Sequence, residues 1–347
     1  MKKFVLGFGL ALLAVGCSNE VLVEEQQNPQ EEVQTPISFA TFADKQVRSQ
    51  SVLMEDYHNT IAVYGVKENV TVQTVFNNVT LTYTTPGGTP NDWAYSPLRY
   101  WDKQATYEFI AFAPASAPMA YVLHTDDGKV TGGHFQTSTP YTLVGQNLQN
   151  GTSNEEIYTG FTGGTGKDTD IMLAPMVPAN GTTKGIVNFN FYHILSKLNV
   201  AVKLNASLGS SVVKVKNITI TGLKDTGTYT DAAGWSATVK EPNYKLQFNN
   251  ADGVAVNATK ALYFLESLVM PQAMAGTLNM EYTISSTTGG YEETYYYEQP
   301  LEDIFTATTF DKGSNYTITF TISPSVITFD AKVSNWAKGE NPGVNIN

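Results

Sequence analysis

Cysteine is almost missing from this sequence: the 347-residue chain holds one, Cys17. A single thiol excludes an internal disulfide and any site built from several thiolates. Charge is also sparse, with Asp, Glu, Lys and Arg at 15%, where an ordinary soluble chain carries about a quarter. Basic residues are the scarcer sign, 21 against 32 acidic ones, for a net charge of −11. That balance leaves no basic face for nucleic acid, so nucleic-acid partners are not expected. Arginine occurs twice, as Arg48 and Arg99. No segment sustains an apolar period of 3.6, which removes helical bundles from consideration.

Catalytic signatures are lacking too. There is no His-Glu-x-x-His, no Gly-x-Ser-x-Gly and no Cys-x-x-Cys. Gly163-Gly-Thr-Gly-Lys167 looks like a phosphate loop, but Phe161 stands where its first glycine belongs and Asp168 follows the lysine, so it reads as a surface loop. Asp168-Thr-Asp170 lacks the further oxygens of a calcium loop. Asp126-Asp127-Gly128 has the shape of a hairpin turn. His58, His124, His134 and His193 share no spacing, and His193, just after a strand, reads as structural. With no acid–base or nucleophile constellation, the chain is expected to be no enzyme and to hold no metal or cofactor.

What the chain does have is strand-forming material. Hydrophobic residues are 42% and aromatics 12%, with 19 Tyr and 17 Phe, enough for a sizeable core of β structure. Alternating segments include Thr60–Gly65, Thr106–Phe112, Leu198–Leu204, Leu278–Ile284, Tyr316–Ile322 and Ile327–Val333. Asn77-Asn78 reads as a turn between two strands, and Ala261–Met270 as a central buried strand. His193–Lys197 reads as a single helical turn. Residues 115–170, rich in Gly, Thr, Asn and Ser, read as long loops with short strands. Pro175–Lys184, with two prolines and an Asn-Gly, reads as a linker. The expected fold is all-β: two tandem antiparallel sandwiches, spanning 49–178 and 179–347. Trp93, Tyr95, Tyr100 and Trp101 form an aromatic cluster, suited either to the core or to stacking on a sugar.

The first 48 residues have a different organisation. Lys2 and Lys3 precede an apolar run, Phe4–Val15, then Gly16 and Cys17. This is the form of a secretory signal, too short for the roughly 20 residues of a membrane span. Leu13-Ala-Val-Gly-Cys17 resembles a lipobox, which implies a signal peptide over 1–16 and acylation of Cys17. Two or more acyl chains would anchor the protein stably without a membrane-spanning helix. Residues 17–48 then comprise an acidic tether, with Glu20, Glu24, Glu25, Glu31 and Glu32, and one strand, Ile37-Ser-Phe-Ala-Thr-Phe42. Arg48 follows six residues later, in Lys45-Gln-Val-Arg48.

Three stretches resemble the Bacteroidetes fimbrillin family of pilins. They are Trp93–Trp101 with Tyr107-Glu-Phe-Ile-Ala-Phe-Ala-Pro114, Phe189–Val200, and Tyr316–Pro324 with Ile327–Trp336. The resemblance implies two transthyretin-like sandwich domains, delivery to the outer membrane as a lipoprotein, and assembly into surface fimbriae for adhesion and biofilm. It implies that a trypsin-like protease cuts at Arg48, with Lys45 as runner-up, and removes the Ile37–Phe42 strand. A strand of a neighbouring subunit would then fill the groove, and Val344 and Ile346 are the donor candidates here. Implied partners are other fimbrial subunits, the protease, the outer membrane and a host or bacterial surface receptor. Stalk, tip and anchor roles all stay open. The competing expectation is a monomeric glycan-binding lipoprotein of the outer membrane, which has no need of a cut at Arg48.

Overall fold

Alternation of apolar and polar residues dominates the sequence, and strands dominate the structure. The computed structural model describes residues 34–43, 59–84, 93–124, 133–139, 141–144, 170–206, 208–239, 244–323 and 327–335. In chain order the strands begin with β1 (Phe39–Ala43), β2 (Thr60–Glu68), β3 (Val72–Tyr83), β4 (Trp93–Ala94), β5 (Thr106–Ala113), β6 (Ala120–Leu123), β7 (Phe135–Thr139), β8 (Tyr141–Val144), β9 (Met172–Asn180) and β10 (Val187–His193). They continue with β11 (Ser196–Leu204), β12 (Ser211–Thr221), β13 (Thr226–Thr230), β14 (Gly234–Thr238), β15 (Lys245–Val256) and β16 (Leu262–Val269). The last are β17 (Gln272–Ala273), β18 (Thr277–Ser286), β19 (Glu292–Pro300), β20 (Thr309–Phe310), β21 (Ser314–Ile322) and β22 (Ile327–Asn335). One short α-helix, α1 (Leu301–Ile304), stands among the described residues.

The first sheet has seven strands in the order β1-β10-β9-β5-β2-β3-β4. β2 shows why its sequence reads as nearly all apolar. Ile61 and Val63 face one core with Phe39, Phe76, Phe109 and Phe189, while Ala62, Tyr64 and Val66 face a second with Phe112, Tyr121, Ile194 and Leu268. Two four-stranded sheets, β16-β11-β21-β22 and β15-β12-β18-β19, enclose a third core. There Leu198, Val200 and Val202 of β11 meet Val213, Val215, Ile218 and Ile220 of β12. The step of three from Val215 to Ile218 would break a period of two. A bulge at Lys216 restores it, since Val215 pairs with Tyr282 and Asn217 with the adjacent Glu281.

Several expectations change. The sheets are not wholly antiparallel: β1 runs parallel to β10, and β11 parallel to β21. Pro175–Lys184 is not a linker, because Pro175–Asn180 lie within β9, and residue 178 falls inside a strand. β9 tolerates its prolines because it pairs with β10 only through Met172 and Leu173, and Pro175 sits at a register shift against β5. Asn77-Asn78 is not a turn between strands. Both residues oppose Tyr64 alone, forming a bulge inside β3 with Asn78 at φ 52°. His193–Lys197 forms no helical turn, since β10 ends at His193 and β11 starts at Ser196. β16 is buried but lies at a sheet edge; Phe264, Leu265 and Val269 enter one core and Leu268 another, which explains its apolar run.

Gly65 in β2 has no room for a side chain. A Cβ there would meet Phe109 Cδ1 at 2.6 Å and Phe76 Cδ2 at 3.2 Å, and both rings are fully buried. Gly65→Ala is therefore expected to destabilise the fold by about 1–3 kcal/mol. An unchanged denaturant midpoint would show that these rings shift freely.

Candidate functional site: the segment that plugs the first sheet

The segment around β1 presents Ile37, Phe39 and Thr41 to one side, as a period of two requires. All three are buried, and Phe39 is 0% exposed. Four rings surround Phe39. It stacks on Phe189 at 5.7 Å with an interplanar angle of 3°. Phe76, Phe109 and Tyr95 meet it edge-on, with centroids at 5.3, 5.8 and 5.9 Å. Edge-to-face pairs at these distances add about 0.5–1.5 kcal/mol each beyond the area they bury.

The segment is held on both flanks. On one side β1 pairs with β10, Phe39 opposite Val187 and Thr41 opposite Phe189, and the Val187 N–H donates to the Ser38 carbonyl at 2.9 Å. On the other side the Ile37 N–H donates to the Arg99 carbonyl at 2.9 Å and the Trp101 N–H donates to the Thr35 carbonyl at 3.0 Å. Side chains reinforce that flank. The Tyr95 hydroxyl donates to the Ile37 carbonyl at 2.8 Å, and the Trp93 indole N–H donates to the Thr41 hydroxyl at 3.1 Å. Burial pushes the Tyr95 phenol above its usual 10.0, more than its contact with the Arg99 backbone and charge lowers it, so it stays protonated and able to donate. β1 is thus the last strand of its sheet by order, yet it is bound to the 99–101 stretch as well.

Removing this segment would have two consequences. The backbone groups of β10 and of residues 99–101 would lose their partners, and the pocket between Phe76, Tyr95, Phe109 and Phe189 would open. Loss of one fully buried Phe side chain alone costs about 3–5 kcal/mol. An unpaired strand edge beside uncovered apolar side chains accepts an added strand readily.

Arg99, the second arginine, is locked into the wall of this site. Its Nε donates to the Val75 carbonyl at 3.0 Å and its Nη1 to the Pro97 carbonyl at 2.6 Å, and the guanidinium lies 5.8 Å from the centre of the Phe76 ring. Arg48, Lys45, Cys17, Val344 and Ile346 lie outside the described residues, as do Gly163–Lys167, Asp168, Asp126–Gly128 and His58. The strand expected at Ile37–Phe42 is present, with a bridge at Pro36 and a ladder over Phe39–Ala43.

Most of the other candidates resolve into structure, while Tyr100 of the aromatic cluster stays exposed. Trp93 and Trp101 are 6% and 7% exposed, so their indoles belong to the core and offer no platform for a sugar. Asp170 pairs with His193 at 2.9 Å, both buried. His134 pairs with Glu108 at 2.8 Å, beside a cleft of about 500 Å³ also lined by Glu68, Thr106 and Asn180. Among the described residues no group of three or more His, Cys, Asp or Glu side chains is placed to hold a metal ion. Two walls of the plug site, Trp93 and Tyr95, belong to the aromatic cluster legible in the sequence, and they bond to Thr41 and Ile37; the other walls were not singled out. Phe76, Phe109 and Phe189 each lie in a recognisable strand, but alternation alone does not say that they converge.

Comparison with known proteins points one way. A family profile described as Fimbrillin-like matches residues 51–336. A Bacteroides uniformis protein, Fim1C, whose name makes it a candidate fimbrium subunit, is 26% identical over 178 residues, or 51% of this chain. The match spans about half of that relative's own length, 54%. The crystal structure of a fimbrial protein from Bacteroides vulgatus shares the fold at a TM-score of 0.51 and 16% identity, over 87% of this chain and 99% of that one.

Proposed function

The chain belongs to the fimbrillin-like family, and from that premise we propose that it is a non-catalytic structural subunit of a cell-surface fimbrium, assembled by removal and replacement of the β1 segment. The observation that carries this reading is Phe39. A short stretch near the start of the chain fills the centre of an aromatic core and bonds to both flanking backbones. Such a stretch is at once essential to the closed form and, once cut free, replaceable by any strand of matching shape.

Cys17 carries the lipid that anchors the precursor to the outer membrane. A trypsin-like protease cuts after Arg48, or after Lys45 as runner-up, and frees the strand. On this reading the chain is two transthyretin-like sandwiches in tandem, divided at Ile194–Leu195 between β10 and β11, since residue 178 lies within β9. Other fimbrial subunits supply the replacing strand, and the assembled fibre serves adhesion.

Arg99 sharpens the expectation for the protease. Its side chain is bound to two carbonyls and its own carbonyl is bound to Ile37, so it is a poor substrate in the folded chain. An arginine-specific protease is expected to cut the folded protein after Arg48 and leave Arg99 intact. Intact mass and N-terminal sequencing of protein recovered from fimbriae should then give a start at Ser49. A surface form that still begins at an acylated Cys17 would overturn the strand-removal step.

A further inference from the structure

The groove around β1 does more than accept a strand; its walls specify side chains. Position 37 is an aliphatic slot, and the Tyr95 hydroxyl fixes the backbone there. Position 39 is a ring slot, closed by Phe189 on its face and by Phe76, Phe109 and Tyr95 at its edges. Position 41 favours an acceptor, because the Trp93 indole is buried and its N–H donates to the Thr41 hydroxyl. An apolar residue at position 41 would leave that N–H unpaired, and an aliphatic at position 39 would leave part of the ring slot empty.

Resting on the strand replacement proposed above, we infer that this groove is built for a strand of a different fimbrial subunit, one carrying a β-branched aliphatic, an aromatic and a Ser or Thr at alternate positions and running parallel to β10. This chain's own donor candidates do not fit. Val344 and Ile346 put an aliphatic into the ring slot in either register. With Val344 in that slot, Ile346 faces Trp93 and takes away its acceptor. Ile327-Thr-Phe329-Asp-Ala331 repeats the aliphatic and aromatic spacing. It is committed elsewhere, however, paired with β21 through all of β22, and it has Ala331 where the hydroxyl is needed. Once the 37–41 segment is cut away, neither remaining candidate makes a copy of this chain a good donor, which favours a partner subunit of different sequence.

The test uses the chain from Cys17 to Asn347, cut with an arginine-specific protease and mixed with synthetic peptides, and native mass spectrometry reads exchange of the freed strand. The peptides are residues 34–43 as they stand, the same with Phe39→Ala, the same with Thr41→Val, and residues 327–335 and 338–347. The unaltered strand peptide is expected to bind tightest. The Phe39→Ala peptide should be weaker by at least about a hundredfold, and the Thr41→Val peptide by about tenfold. The 327–335 and 338–347 peptides should bind no better than the Phe39→Ala peptide. If either of these two, or the Phe39→Ala peptide, bound within about threefold of the unaltered strand, the inference would be overturned while strand replacement stood. If the chain were not cut at Arg48, or exchanged with no peptide including its own strand, strand replacement itself would be overturned and the inference with it.

Discussion

Phe39→Ala is expected to destabilise the uncut chain by about 3–5 kcal/mol, among the largest losses any single truncation causes. The ring is fully buried between Phe76, Tyr95, Phe109 and Phe189. Those walls belong to β3, to the loop after β4, to β5 and to β10, and interiors at native density relax only in part around a deletion. Phe42→Ala provides the control. Phe42 is three residues along the same strand and only half-buried, so its truncation should cost clearly less. Thermal and denaturant unfolding of the two variants measures the difference. Equal losses would mean that Phe39 is an ordinary core residue and that the strand has no central plug. The size of the loss also bears on assembly: whatever keeps Phe39 in its slot is the same free energy that a replacing strand must recover.

Arg48→Gln combined with Lys45→Gln is expected to hold the protein as an uncut precursor and to reduce its incorporation into fibres to background. Trypsin-like proteases recognise a basic side chain in a pocket that pairs with its charge, and sites of this kind reject an analogue lacking the pairing group by roughly 10⁴-fold. Arg48→Gln alone separates the two cut sites, since continued processing to a start at Gln46 would identify Lys45 as sufficient. The readout is the mass of the surface protein and its presence in sheared fimbriae. Fibres built from the doubly substituted chain with β1 still attached would show that assembly needs no strand removal. The two experiments are independent, because Phe39 acts through packing in the closed form and Arg48 through access of a protease to the chain beyond β1.

A segment can be both well bound and replaceable because its contacts are of two kinds. Backbone hydrogen bonds to β10 and to residues 99–101 are blind to sequence, so any strand can restore them. The ring slot and the Trp93 donor are not blind. In the proposed replacement the former contacts would supply much of the affinity and the latter the choice of partner, as in other cases of strand addition.

The all-β character, the strands and even the presence of one near residue 40 follow from the sequence by itself, because a period of two is local: it depends only on which side of its own strand each residue faces. Ile37 and Phe39 announce an inward face in this way, whereas the burial of Thr41 depends on Trp93. What that face meets depended on the tertiary structure, since Phe76, Tyr95, Phe109 and Phe189 come from four separate places in the chain and only the sheet order brings them around one ring. The same reason explains the expectations that changed. Proline is a linker signal locally, yet Pro175 and Pro178 are accommodated in β9 where its other edge has no ladder partner or its register shifts. Asn-Asn is a turn signal locally, yet opposite Tyr64 it is a bulge that keeps β3 in register. An apolar run such as Leu262–Val269 reports that both faces are covered, not that both edges are paired. Periodicity records burial along a strand, whereas neighbours, parallel or antiparallel sense and the convergence of rings on Phe39 are set by contacts between residues far apart in sequence.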